Sequence, residues 1–243
     1  GTVIDPLSPR GIEALIDAMA AHPLVAPTHF GTDERRQTPL DANGLRDTVA
    51  GLGSNDFLLA MKRGSPPRLD GHIDAMAGRR TPAGLSHVKL RWSRLAQAHR
   101  AEVFAFGTHL AEALEAQFAL IHPMWDLGDT SQAYSAAGIV VFDELQRFGP
   151  PGVAAVTVLG PHLVALFGRE RLLDIGVPVR PTPWGGITLS LVDNPAAADF
   201  DALQAAQSTV MEALAPAEVF ATIDVFDQTA GPNWVPIPQE ACG

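Results

Sequence analysis

Between Gln97 and Ile121 the apolar residues Val103, Phe106, Leu110, Leu114, Phe118 and Ile121 recur at spacings of three and four. That period keeps one face of an α-helix apolar over its whole length. The pattern predicts a helix from 97 to 121, stopped by His122 and Pro123. A helix that long, roughly 37 Å at 1.5 Å per residue, must lay its stripe against a surface supplied by the rest of the chain.

The remaining segments are shorter and of two kinds. A helix is predicted over Pro9–Ala21, with Ser8 as N-cap, Pro9 at the first helical position and Ile12, Leu15, Ile16 and Met19 on one face. Leu40–Leu52 holds a second short helix, Pro161–Phe167 a third, Arg169–Leu173 a further turn, and Asp199–Leu214 a last helix with Phe200, Leu203, Val210 and Leu214 inward. Strands are predicted near Thr28–Phe30, at Phe57–Met61, at Ser86–Trp92 with a basic outer face, at Val153–Leu159 as an inner strand, at Gly186–Val192 and at Val219–Phe226. Gly31–Arg36 reads as a polar loop, Gly64–Gly84 as a long irregular excursion, and 125–131 as a turn-rich break. The apolar stretch 136–148 fits helix or strand, and the tail from Gly231 reads as loop. Strands separated by helices give an α/β (α+β) class, a mixed β-sheet packed with helices. Residues 1–243 are expected to form a single compact domain, with two subdomains meeting near 125–135 as the alternative.

Charge is unevenly spread over a chain whose formal net charge is −10. From Lys62 to Arg100 nine basic residues face two acids, a local charge of +7, whereas after Arg180 no Lys or Arg occurs and eight acids accumulate. Either the ends complement each other, or an acidic surface awaits a basic partner. The overall acidity argues against bulk nucleic-acid binding. The lone Cys242 excludes intramolecular disulfides and Cys-rich metal sites, which fits a reducing, cytoplasmic setting. No run of 18 apolar residues and no basic-then-apolar leader is present, so no membrane partner is expected.

The familiar catalytic signatures are missing: no Gly-x-Ser-x-Gly, no Gly-x-x-x-x-Gly-Lys and no His-Glu-x-x-His occurs, and Gly51-Leu52-Gly53 lacks a third glycine. The eight histidines show no close pair at helix or strand spacing, so neither metal nor cofactor is expected. His22 and His122 read as helix C-terminal capping residues, and His109 as a satisfied or solvent-facing helix position. The densest acid–base group is His29 with Asp33 and Glu34, the one place where a hydrolase or transferase site would sit; a solvated loop explains it as well. Trp184-Gly185-Gly186 is either a tight turn or a place of close ligand approach. Trp234 either packs back or anchors a partner.

From Gly152 to Leu214 the order is strand, Leu159-Gly160-Pro161, a helix ending Leu166-Phe167-Gly168, a Pro-rich crossing, Gly185-Gly186-Ile187-Thr188-Leu189, Asn194-Pro195 and a final helix. This order resembles the C-terminal half of bacterial immunity proteins from contact-dependent and type VI toxin systems, in particular the immunity protein 52 family and the related type VI secretion immunity family. Pro27–Arg36 resembles their N-terminal part. The resemblance covers about half the chain. It implies a non-enzymatic cytoplasmic protein that binds a cognate toxin and blocks its active site or substrate groove, with no catalytic residues to transfer. Were that toxin's groove basic, Asp193, Asp199, Asp201, Asp224 and Asp227 would imitate its polyanionic substrate, with Trp184 and Trp234 as apolar anchors. A scaffold or regulatory subunit binding an acidic partner through Arg79, Arg80, Lys89 and Arg91 is the third reading.

Overall fold

The computed structural model describes residues 2, 4–33, 36–52, 58–74, 86–124, 145–223 and 228–238. The class is α+β: among the described residues there are seven helices and two principal sheets, of five and four strands, antiparallel throughout. The chain divides into two compact units, residues 1–115 and 116–238.

The first unit opens with α1 (Pro9–Ala21), which starts where the Gly11 N–H donates to Ser8 Oγ at 3.0 Å and Pro9 needs no partner for its nitrogen. Its buried face is Ile12, Leu15, Ala18 and Met19. Strand β1 (His29–Asp33) pairs with β2 (Arg36–Pro39), so the segment expected to be a polar loop is instead an antiparallel hairpin, with Phe30 opposite Thr38 and Asp33 opposite Arg36. Backbone pairing, which side-chain polarity does not report, overrides the loop reading. Helix α2 (Ala42–Ala50) follows, capped by Asp41, whose Oδ1 accepts from the Gly44 N–H at 2.7 Å.

Strands β3 (Leu58–Arg63), β4 (Arg68–Asp74) and β5 (His87–Ser93) complete a sheet of order β2-β1-β3-β4-β5. The existence of β4 corrects the reading of 64–84 as irregular throughout. Leu69 and Ile73 point into the core, but between them stands Gly71, which hides the alternation. Glycine is required there, because a Cβ at position 71 would lie 2.4 Å from the Lys89 carbonyl oxygen and 2.6 Å from Leu90 Cδ2. Residues 75–85 lie outside the described chain, as does Phe57. Helix α3 (Gln97–Ala113) shares one hydrophobic core with α1, α2 and the sheet, through Val103, Phe106 and Leu110 packed with Leu15, Leu45, Leu59, Leu69 and Ile73. Two side chains fasten the connector between α1 and β1. Trp92 Nε1 donates to the Val25 carbonyl at 2.9 Å, and Arg63 donates to the carbonyls of Pro23 and Ala26 at 3.1 Å.

Helix α3 ends at Ala113, eight residues before the predicted end. Glu115 adopts a left-handed conformation at φ 48° that breaks the helical ladder without the glycine that usually marks such a stop. Phe118–Ile121 is then a strand, β6, not the last turns of a helix. The 3-and-4 spacing of Leu114, Phe118 and Ile121 coincides with the helix period, but β6 pairs with β7 (Val156–Leu159), Phe118 opposite Leu159 and Ile121 opposite Val156.

The second unit is built on β6-β7-β9-β8, with β8 at Val179–Pro181 and β9 at Ile187–Ser190. β7 is buried at every position, as an inner strand should be. Short helices α4 (Leu145–Phe148), α5 (Pro161–Phe167) and α6 (Arg169–Leu173) accompany α7 (Phe200–Leu214), where Asp199 Oδ1 accepts the Ala202 N–H at 2.9 Å. Of the strand predicted at 219–226 only Thr222–Ile223 is seen, as β10, paired with β11 (Gln228–Thr229). Residues 224–227 and most of 125–148 lie outside the described chain.

His122 follows a strand rather than a helix, so it is not the helix C-cap that its place before proline suggested. Its Nδ1 accepts the Ala155 N–H at 3.2 Å, and burial pushes its pKa down to about 4. A folded pKa below the unfolded value of about 6.5 means the unfolded chain binds the extra proton first. The stability due to this group is therefore full above pH 6.5 and lost as pH falls towards 4, by about 3 kcal/mol. Urea midpoints between pH 7 and 4.5 should fall less steeply for His122→Gln than for the parent chain; equal slopes contradict a buried neutral imidazole. Gly71→Ala should cost about 1–3 kcal/mol by the same measurement, since backbone must move to admit the methyl.

Candidate binding surface

The acids singled out from sequence fall in the second unit. Asp193, Asp199 and Asp201 are exposed and sit on the single connection that leaves β9 and enters α7. The turn is shaped by Asn194, whose carbonyl accepts from the N–H groups of Ala197 and Ala198 at 3.2 Å. Asp199 is committed to capping α7, and Asp201 stands in its first turn, where a negative charge is favoured by the helix dipole. Among the described residues Asp193 has no such local duty. Among the described residues no Lys or Arg forms an ion pair with any of the three. Glu212 on α7 and Glu218 beyond it are also exposed. Asp224 and Asp227 lie outside the described residues.

The two tryptophans differ. Trp234 is only 9% exposed; its Nε1 donates to the Gln146 carbonyl at 3.2 Å and its ring meets His162 edge-on with centroids 6.1 Å apart. Gln146 bonds Ile237 twice, accepting from its N–H at 2.8 Å and donating to its carbonyl at 3.0 Å. Of the two readings open for Trp234, packing back is the one seen. Trp184 is half-buried beside the turn made by Gly185 at φ 91°, where the Gly185 N–H donates to Thr182 O at 3.1 Å. Its Nε1 and Thr182 Oγ1 are both buried and have no hydrogen-bond partner among the described residues. Gly186 must be glycine, because a Cβ there would lie 2.6 Å from Leu159 O.

In the first unit, His29 and Asp33 are both exposed but stand at opposite ends of β1, roughly 13 Å apart at 3.3 Å per residue. His29 Nδ1 contacts Thr28 Oγ1 at 3.0 Å instead, and Glu34 lies outside the described residues. The basic stretch is partly used within the fold. Arg63 holds the α1–β1 connector and Lys62 pairs with Asp70 at 3.7 Å, whereas Lys89 and Arg91 remain exposed on β5. Arg79 and Arg80 lie outside the described residues.

Two histidine groups have no helix or strand spacing between their histidines, because each is assembled by tertiary contact. His22 closes α1 and its Nδ1 meets Glu102 Oε1 at 2.9 Å. A carboxylate only accepts, so Nδ1 carries the proton and Nε2 faces His109 Nδ1 at 3.3 Å. The second group is His72, Asp74 and His87, across β4 and β5. The one signal in the sequence was His72-x-Asp74, two residues that share a strand face; the partner fifteen positions away depends on register.

Among the described residues no helix is long and apolar enough to cross a membrane. No family model, no curated protein and no solved structure matches the chain.

Trp234→Ala should lower stability by about 3–5 kcal/mol, through lost burial and the vacated contact with Gly149, in urea unfolding followed by circular dichroism. A neutral substitution would mean the 231–238 segment is not part of the second unit's core.

Proposed function

We propose that the protein is a cytoplasmic immunity protein that binds a cognate bacterial toxin and blocks a basic active site or substrate groove. The observation that carries this reading is the exposed acidic group Asp193, Asp199 and Asp201 on one connection, in a stretch with no Lys or Arg of its own. Natural folds usually intersperse surface charges of both signs, and a one-signed group accelerates encounter with an oppositely charged groove. The half-buried Trp184 supplies an aromatic group of the kind enriched at binding hot spots. The wide separation of His29 and Asp33 adds no support for the hydrolase or transferase alternative. The resemblance of 152–214 to the immunity families rests on the same unit that presents the acids.

Co-expression with the product of the neighbouring open reading frame tests the reading. Growth rescue together with a co-purifying complex is expected; a harmless neighbour that does not bind overturns it. The mechanism has its own test. Asp199 caps α7, so it is left intact, and Asp193→Lys with Asp201→Lys should slow association at low salt by about tenfold or more. An unchanged on-rate would remove the acidic mechanism even where immunity holds.

A further inference from the structure

The outer face of the first unit's sheet carries chemistry that the proposed toxin contact does not use. Along β4 the inward residues are Leu69 and Ile73, so Asp70, His72 and Asp74 point to the opposite face. Antiparallel register sets His87 directly opposite Asp74, and directly opposed residues share a face. His72 is two residues from Asp74, on that same face. Three side chains thus converge from two adjacent, hydrogen-bonded strands rather than from loops.

The separations are those of a ligand set. His87 Nε2 lies 3.0 Å and His72 Nε2 3.8 Å from Asp74 Oδ2, and one donor atom from each of the three residues lies within 4.8 Å of the others. Metal–ligand bonds of about 2.0–2.1 Å in a tetrahedral site put neighbouring ligand atoms roughly 3.3 Å apart, a value the two distances bracket. Asp74 and His87 side chains are each 14% exposed and His72 is 31% exposed, so the group is largely withdrawn from water. The other carboxylate oxygen, Asp74 Oδ1, is buried and has no hydrogen-bond partner among the described residues. A buried carboxylate oxygen left unpaired is costly, and a cation bound to the same carboxylate lowers that cost. The neighbouring cation on this face, Lys89 opposite His72, is exposed and free to keep its ammonium in solvent.

We propose that His72, Asp74 and His87 form a binding site for a divalent transition-metal ion of the zinc class. Two imidazoles and one carboxylate suit Zn²⁺ and its borderline neighbours rather than Ca²⁺ or Mg²⁺, which take oxygen ligands. A metal at His87 Nε2 displaces the proton from that nitrogen: a neutral ring keeps its one proton on Nδ1, and only a ring protonated on both nitrogens gives a proton to solvent. Three protein ligands leave a fourth position open, the arrangement of sites that hold a water or an exogenous group.

Calorimetric titration of the full, untagged chain with ZnCl₂ tests the site, with CoCl₂ spectroscopy as a second probe. One equivalent is expected to bind, with d–d bands of near-tetrahedral cobalt. His72→Ala and His87→Ala should each weaken binding by at least about tenfold, the loss seen even for residues that only support a ligand. His109→Gln, which alters the other histidine group, should bind like the parent. His72 is the most exposed of the three, so His72→Ala decides the matter should His87→Ala fail to fold by circular dichroism. No zinc binding, binding indifferent to His72→Ala, or binding lost in His109→Gln would each overturn the assignment.

Discussion

The five-stranded sheet of the first unit buries one face against α1, α2 and α3, and the placement of that unit's outward polar side chains follows from this one-sidedness. Alternation along β4 fixes which residues fill the core. With Leu69 and Ile73 inward at no more than 1% exposure, Asp70, His72 and Asp74 have nowhere to go but out. A slip of one residue would bury three polar side chains and expose two aliphatic ones, so the register that joins His87 to Asp74 is set by the hydrophobic effect. Gly71 belongs to the same constraint. Its missing side chain lets the Lys89 backbone come close enough for β4 and β5 to stay paired across that position.

The second unit obeys a different rule. Its central strand β7 is buried throughout, flanked by β6 and β9, and its termini are tied by polar contacts instead of by length. Gln146 clamps Ile237, Trp234 fills space beside Gly149, and His122, held neutral by burial, accepts from Ala155. These contacts account for the aromatic and imidazole groups as packing elements. They leave the acids at 193–201 outside the core, with one of them, Asp199, doing structural service as a cap.

Signals confined to a few neighbouring residues could be read from the sequence. Ser8 with Pro9 marked the start of α1, Pro161 marked α5, Asp199 marked α7, and the doubly apolar run Val153–Leu159 marked an inner strand, which forms over Val156–Leu159. The errors came where a local pattern had two meanings. Leu114, Phe118 and Ile121 continue a helical period by coincidence, and only the left-handed Glu115, a residue type that gives no warning, diverts the chain into β6. At β4 a single glycine in the inward row erased an alternation that was otherwise present. The site residues divide in the same way. Exposed acids could be named from charge bookkeeping, whereas His72, Asp74 and His87 meet only because two strands pair in one register, a property no single segment carries.

The central claim is that the second unit's acidic connection is the binding surface. Hydrogen exchange of the chain with and without the proposed toxin partner tests this most directly. The account predicts slowed exchange concentrated over residues 193–201 and the start of α7, with the β1–β2 hairpin of the first unit unchanged. Protection that falls on the hairpin at 29–39 and leaves 193–201 untouched would contradict it.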